Sequence, residues 1–371
     1  MSQSVLRIAN HLDSWKTALC EIGAQPLALK PNFPEVAARW EAWWTRRNDR
    51  PLLVASAVKD TKIRWGKAFD LLEKPREWVE VRRRQVENLH WAGDAIPNVR
   101  VDLGPVSMAA YLGAPLSLSE EEQTTWQIPT IEDWAHPPSF RLDRGNRWFR
   151  AACELLKLLA DDARGRYAVC LSDLTGAMDV LSNMRSPDRL CTDLLDHGAA
   201  VVSAAAQVVD AWEEVYATFY DIVLGARAGV VQWLLCWSAT PYTVPTCDFN
   251  FMISPAQFAE FCLPSLRDQA RRAGRCVLHV DGPGASRHAA ALAKEPTITA
   301  IQYTPGAGTP SALAKLEMFK MLQAAGKPLI VFCPAEEVPE LLRKLDPRGL
   351  CLAPEDVTSP AHADTLAAMC R

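Results

Sequence analysis

The chain has no Cys-x-x-Cys pair, no glycine fingerprint after its first apolar run, no basic excess and no long uninterrupted apolar segment. Each absence removes a class of protein. Without paired cysteines at metal-ribbon or redox spacing, the eleven cysteines read as scattered reduced thiols, an odd count that suits a cytoplasm better than a disulfide framework. Most are packing residues on this reading, since a free cysteine behaves as a small hydrophobe. A net charge of −4 gives no electrostatic footprint for nucleic acid, and Arg82-Arg83-Arg84 reads as a solvated helix face. No apolar run is long enough to span a bilayer, and Met1 to Lys30 does not read as a secretory leader. The expectation is a cytoplasmic globular protein acting on a small molecule, with no nucleic-acid or membrane partner; its oligomeric state is left open.

What is present alternates. Short apolar runs at Pro51–Ala57, Asn98–Leu103, Tyr167–Asp173, Val230–Trp237, Cys276–Asp281, Ile298–Tyr303, Pro328–Cys333 and Gly349–Ala353 read as buried strands. Helical patterns separate them, at Arg76–Ala92, Trp148–Arg164, Pro187–Tyr220, Pro255–Ala273, Ala285–Ala293, Ser311–Ala325 and Pro334–Lys344. Ser254 before Pro255 is a start signal, and Gly274 a stop. The pattern predicts an α/β fold, a TIM-like (β/α)8 barrel, in preference to a doubly wound sheet. Residues 1–48 form an N-terminal helical extension packed on the barrel, with a stripe of Trp40, Trp43 and Trp44; residues 49–371 form the barrel itself. Between Gly104 and Gly145, after the second strand, lies a long rim insertion rich in proline and acidic residues, a candidate wall or lid.

In such a barrel chemistry gathers at the C-terminal strand ends. These read Asp102, Asp173, Trp237, His279 with Asp281, Gln302 with Tyr303, and Cys333. His279 and Asp281 are two apart and so share a face, directly before the turn Gly282-Pro283-Gly284. Imidazole and carboxylate side by side can form a metal half-site or an acid/base pair. Cys333 would complete three ligands, the number a catalytic zinc keeps. Asp173 and Asp248 are candidates to orient substrate, unless they only organise their loops. Asp102, Trp237, Tyr242, Gln302 and Tyr303 are the remaining candidates to line a substrate pocket.

Cys247-Asp248-Phe249-Asn250-Phe251-Met252-Ile253-Ser254-Pro255, Leu263-Pro264, His279-Val280-Asp281-Gly282, Ile301 to Gly306 and Pro334 to Val338 resemble the uroporphyrinogen decarboxylase superfamily, from about Phe33 to the C-terminus. The resemblance implies a TIM-like barrel and one of two chemistries: cofactor-free decarboxylation of porphyrinogens, or zinc-dependent methyl exchange between a corrinoid protein and a thiol. The decarboxylases carry an R-Q-A-G-R stretch after the first strand; here the region reads Ser56-Ala57-Val58-Lys59-Asp60-Thr61-Lys62. The methyltransferases carry H-x-C and a later cysteine. His279 matches the histidine, Asp281 stands at the first cysteine, and Cys333 or Cys351 is the candidate for the second. The leading expectation is methyl transfer with zinc and a corrinoid protein partner. The alternatives are a metal-free carboxy-lyase using His279 as acid, and a barrel that binds a tetrapyrrole or corrinoid without turnover.

Overall fold

The computed structural model describes residues 7–62, 74–101, 104, 106–119, 124–234, 236–306 and 311–371. Twelve strands lie in these residues: β1 (Leu52–Val58), β2 (Leu89–Gly93), β3 (Asn98–Arg100), β4 (Leu116–Ser119), β5 (Thr124–Gln127), β6 (Ala168–Cys170), β7 (Gly229–Val231), β8 (Tyr242–Thr243), β9 (Arg275–Asp281), β10 (Ala300–Thr304), β11 (Leu329–Cys333) and β12 (Leu350–Pro354). They form a mixed α/β, TIM-like arrangement with parallel sheets. One parallel arc runs β1-β12-β11-β10-β9-β8, with β2 antiparallel on its outer edge; a second runs β3-β6-β7.

Among the described residues no strand ladder joins the two arcs, and closure of the expected barrel is not detected. At one junction the Gln232 amide donates to the Tyr242 hydroxyl at 2.8 Å. At the other, Asp94 N donates to Leu53 O at 2.7 Å within the first arc and Ala168 N to Pro97 O at 2.8 Å within the second, so the chain from Asp94 to Pro97 passes from one arc to the other. The valine- and leucine-rich strands are almost wholly buried, as parallel strands covered by helices must be.

Several helices show their causes locally. Ser254 caps the helix that begins at Pro255, and Gln257 returns the bond as a capping box. The helix then widens into a π-turn over Phe258–Cys262 before resuming at Leu263–Ala273. Pro264 is the reason: it lacks an N–H and its ring clashes with the carbonyl four residues back. Gly274, at φ 95, ends the helix in the left-handed region.

Other expectations are corrected. The long helix from Pro187 breaks into Pro187–Asp196 and Gly198–Gly225, where the Phe261 ring lies so close to Gly198 that a Cβ would meet it at 2.9 Å. The helix Pro75–Glu87 stops early and its tail becomes β2. The strand through Val230 ends at Val231, and Trp237 lies beyond it. The rim insertion contains the hairpin β4–β5. No described helix is long and apolar enough to cross a membrane.

The helices Leu12–Gly23 and Phe33–Trp44 pack on the strands' N-terminal side through their tryptophans. Trp40 Nε1 donates to Asp94 O at 3.1 Å and Trp44 Nε1 to Trp237 O at 2.8 Å. Trp43 packs edge-on against both of these rings, and its own buried Nε1 has no partner among the described residues.

Candidate metal and acid/base centre

β9 delivers His279 and Asp281 to one face at its C-terminal end. The short strand β8 pairs with the start of β9, Thr243 opposite Cys276. The chain continues alongside, so that His279 N donates to Pro245 O at 3.2 Å. Three residues further on, Asp248 comes level with Asp281. Ligand-capable atoms of Asp248, His279 and Asp281 all lie within 4.8 Å of one another.

The imidazole is buried and held edge-on to the Trp233 indole, ring centres 4.9 Å apart. Its Nδ1 contacts Gln302 Oε1, and Gln302 Nε2 donates to Thr304 Oγ1 at 2.8 Å. The amide oxygen can only accept, so Nδ1 carries the proton and Nε2 keeps its lone pair. Burial pulls the His279 pKa down, against the opposing pull of Gln302, Asp281 and Asp179. Asp281 is half-buried, and its Oδ1 is enclosed without a hydrogen-bond partner. Gly282 (φ 66) and Gly306 (φ 78) let two loops cross over it; a Cβ on Gly306 would stand 3.3 Å from that oxygen.

Asp248 keeps an exposed face but is otherwise surrounded by protein. Burial, then the carboxylates of Asp179, Asp281 and Asp173, push its pKa up to about 8. Its loop is fixed by Asp179, a fully desolvated carboxylate on the helix Ala177–Arg185 that accepts from Thr246 Oγ1, Asp248 N at 3.0 Å and Phe249 N at 2.9 Å. From the other side Phe251 lies on Gly284, where a Cβ would collide with its ring, and His288 Nε2 contacts Asn250 O at 2.9 Å. Beside this centre opens a cavity of about 520 Å³ whose walls include Asp173, Asp179, Thr246, Asp248, Trp126 and Met252. Trp126, from the hairpin of the rim insertion, is 58% exposed and stands at its edge.

The sequence candidates therefore separate. His279, Asp281 and Asp248 converge; Gln302 joins them as the imidazole's partner. Asp173 faces the cavity while its Oδ1 also accepts from Thr175 N at 2.7 Å, an Asx-type turn. Asp102 lies outside the described residues.

Cys333 does not join the cluster. His279 pairs with Gln302 and Gln302 with Ile330 in parallel register, so Cys333, an odd step from Ile330, points to the opposite face. Its thiol lies near Glu337, Glu355, Asp356 and Cys370, and burial followed by these acids pushes its pKa up, away from the thiolate a metal needs. Tyr303 shares that outer face and packs edge-on against Phe319. Cys351 stands three strands from His279, roughly 14 Å at normal strand spacing. Trp237 is buried against Phe33 and Gly23, far round from the cluster in the N-terminal helices' packing. Tyr242 is structural, its hydroxyl donating to Cys236 O at 2.6 Å. Trp233, not Trp237, is the aromatic neighbour of the imidazole.

Asp179 and Thr246 escaped the sequence reading. The one signal was a lone carboxylate between apolar neighbours in Ala177-Met178-Asp179-Val180-Leu181, a placement that is costly unless the group is used.

No family model and no curated protein matches the sequence. Among solved structures, a methyltransferase from Methanosarcina mazei superposes with a TM-score of 0.57 at 12% identity, covering 90% of this chain and 97% of that one. At this identity the likeness is one of fold.

Proposed function

We propose that this chain is an enzyme of the uroporphyrinogen decarboxylase superfamily that transfers a methyl group between a partner protein's corrinoid and a small acceptor, at a metal centre made by Asp248, His279 and Asp281. The observation that carries the reading is the convergence of one imidazole and two carboxylates with an enclosed, unpartnered Asp281 oxygen at the C-terminal end of β9. The fold likeness and the motif residues around Asp248 and His279 support it.

The donor set fits a divalent cation. Two carboxylates and an imidazole supply three ligands and leave positions open, as catalytic metal sites do. A cation would also offset the burial and the mutual repulsion that together raise the Asp248 pKa. When bound, such a cation supplies Lewis acidity that lowers the pKa of a coordinated acceptor. The chain's own groups do the rest. Gln302 fixes the imidazole tautomer and turns Nε2 outward. Asp179 anchors the loop that presents Asp248. Trp233 shields the imidazole from water, and the cavity beside Asp173 and Trp126 is the place for the acceptor.

The test is methyl transfer from methylcobalamin to a panel of small thiols and amines. Turnover abolished by a chelator, restored by a divalent metal and absent in His279→Ala is the result expected. Turnover indifferent to chelator would contradict the metal centre.

A second reading is favoured by one observation, the high pKa of Asp248 beside a depressed His279. In a metal-free lyase the proton donor near neutral pH would then be Asp248, with His279 neutral beside it. Decarboxylation unaffected by chelator and lost in Asp248→Asn would select this reading.

A further inference from the structure

A second cavity, of about 480 Å³, lies at the opposite ends of the strands, where β1 begins and β2 ends. Its walls include Lys30, Arg39, Arg50, Asp94, Asp364 and Arg371. Asp94 is wholly buried, and its oxygens accept from Arg39 Nε at 2.5 Å, from Arg50 Nη1 and Nη2 at 3.2 Å each, and from Leu53 N at 3.2 Å. One carboxylate is therefore shared by two guanidiniums, and positive charge is left over.

Lys30 adds to that excess. It is 6% exposed, and its ammonium donates to two neutral carbonyls, Trp91 O at 2.9 Å and Gly93 O at 3.0 Å, with no ion pair. A buried ammonium without a carboxylate is costly; burial lowers its pKa to about 8. The other acid, Asp364, is largely exposed and engaged by His90 at 2.8 Å. Even without Arg371 at the rim, three cations face two carboxylates.

Donors remain unspent as well as charge. Arg39 gives only Nε to Asp94, and its two terminal nitrogens make no hydrogen bond among the described residues. Lys30 has one N–H left after its two carbonyls. A structural role for Asp94 requires neither.

We propose that this basal cavity binds a phosphoryl group, free or carried on a small molecule, with Arg39 presenting its terminal nitrogens as a fork and Lys30 supplying a point charge. Guanidinium forks match the paired oxygens of phosphate, and an ammonium complements them. The cavity is larger than bare phosphate needs, which favours a small phosphomonoester.

Isothermal titration of the intact protein with inorganic phosphate, with glycerol phosphate and with acetate tests this. Saturable binding of either phosphate species, tighter than acetate, is expected. Arg39→Lys keeps the charge and loses the fork, and should weaken binding about tenfold. Arg371 is exposed at the rim, so Arg371→Gln serves where Arg39→Lys is unfolded by circular dichroism; it too should weaken binding. Weakening in either folded variant supports the site. No saturable phosphate or phosphomonoester binding by the wild type, or undiminished affinity in every folded variant, overturns it.

Discussion

The two ends of the strands treat carboxylates in opposite ways. At the N-terminal ends Asp94 is wholly buried and held by two arginines and a backbone N–H. At the C-terminal ends Asp248, Asp281 and Asp173 crowd together, near enough to raise the pKa of Asp248, and Asp281 keeps an oxygen with no partner. The first arrangement holds helices and strands together. The second spends stability on unpaired negative charge, which folding alone does not require and a bound cation would use.

The contrast can be broken by substitution. Asp94→Ala removes a wholly buried carboxylate from two half-buried guanidiniums and the Leu53 N–H, and should cost about 3 kcal/mol in urea denaturation. Asp281→Asn removes an unpaired charge without changing shape, and its stability should lie within about 0.5 kcal/mol of wild type or above it. Equal destabilisation by both would erase the distinction between the two ends. A smaller effect is expected at Gln302. Gln302→Leu frees the His279 tautomer and should weaken divalent-metal affinity about 10–100-fold, measured by competition with a chromophoric chelator.

The smallest effect is a pair of opposed pH trends. Asp248, facing Asp179, Asp281, Asp173 and His279, must lose its proton to ligate a cation. Its pKa is raised to about 8, so metal affinity should climb as pH rises to 8 and level off above it. Lys30, facing Asp94, Arg39 and Asp364, has its pKa lowered to about 8 and keeps its proton below that point. Anion affinity at the base should therefore hold below pH 8 and fall above it, read with sulfate, whose own charge is constant over this range. Each trend is at most about tenfold per pH unit. Parallel rather than opposed trends would show that the two ends are not electrostatic opposites.

Much of this was legible in the chain. The two-residue period of a strand put His279 and Asp281 on one face, and Ser254, Pro255 and Gly274 marked their helix because caps and positive φ are local properties. The third member was harder. Asp248 reaches the pair only because β8 and β9 pair in one register, and register is not written in either strand alone. The same blindness misplaced Cys333: the ends of β11 were readable, but which of its faces looks inward depends on β10. Trp237 failed for another reason, since an apolar run beyond Val231 reads as strand whether it continues the sheet or turns to fill the gap beside Gly23. Asp179 acts across nearly seventy positions of sequence on backbone amides, and no short-range pattern announces that.

The most direct test is calorimetric titration of metal-stripped protein with zinc, comparing wild type, Cys333→Ala and Asp281→Asn. Stoichiometric binding that survives in Cys333→Ala and disappears in Asp281→Asn is the predicted result. Binding that persists in Asp281→Asn, or vanishes in Cys333→Ala, would contradict a centre built from Asp248, His279 and Asp281.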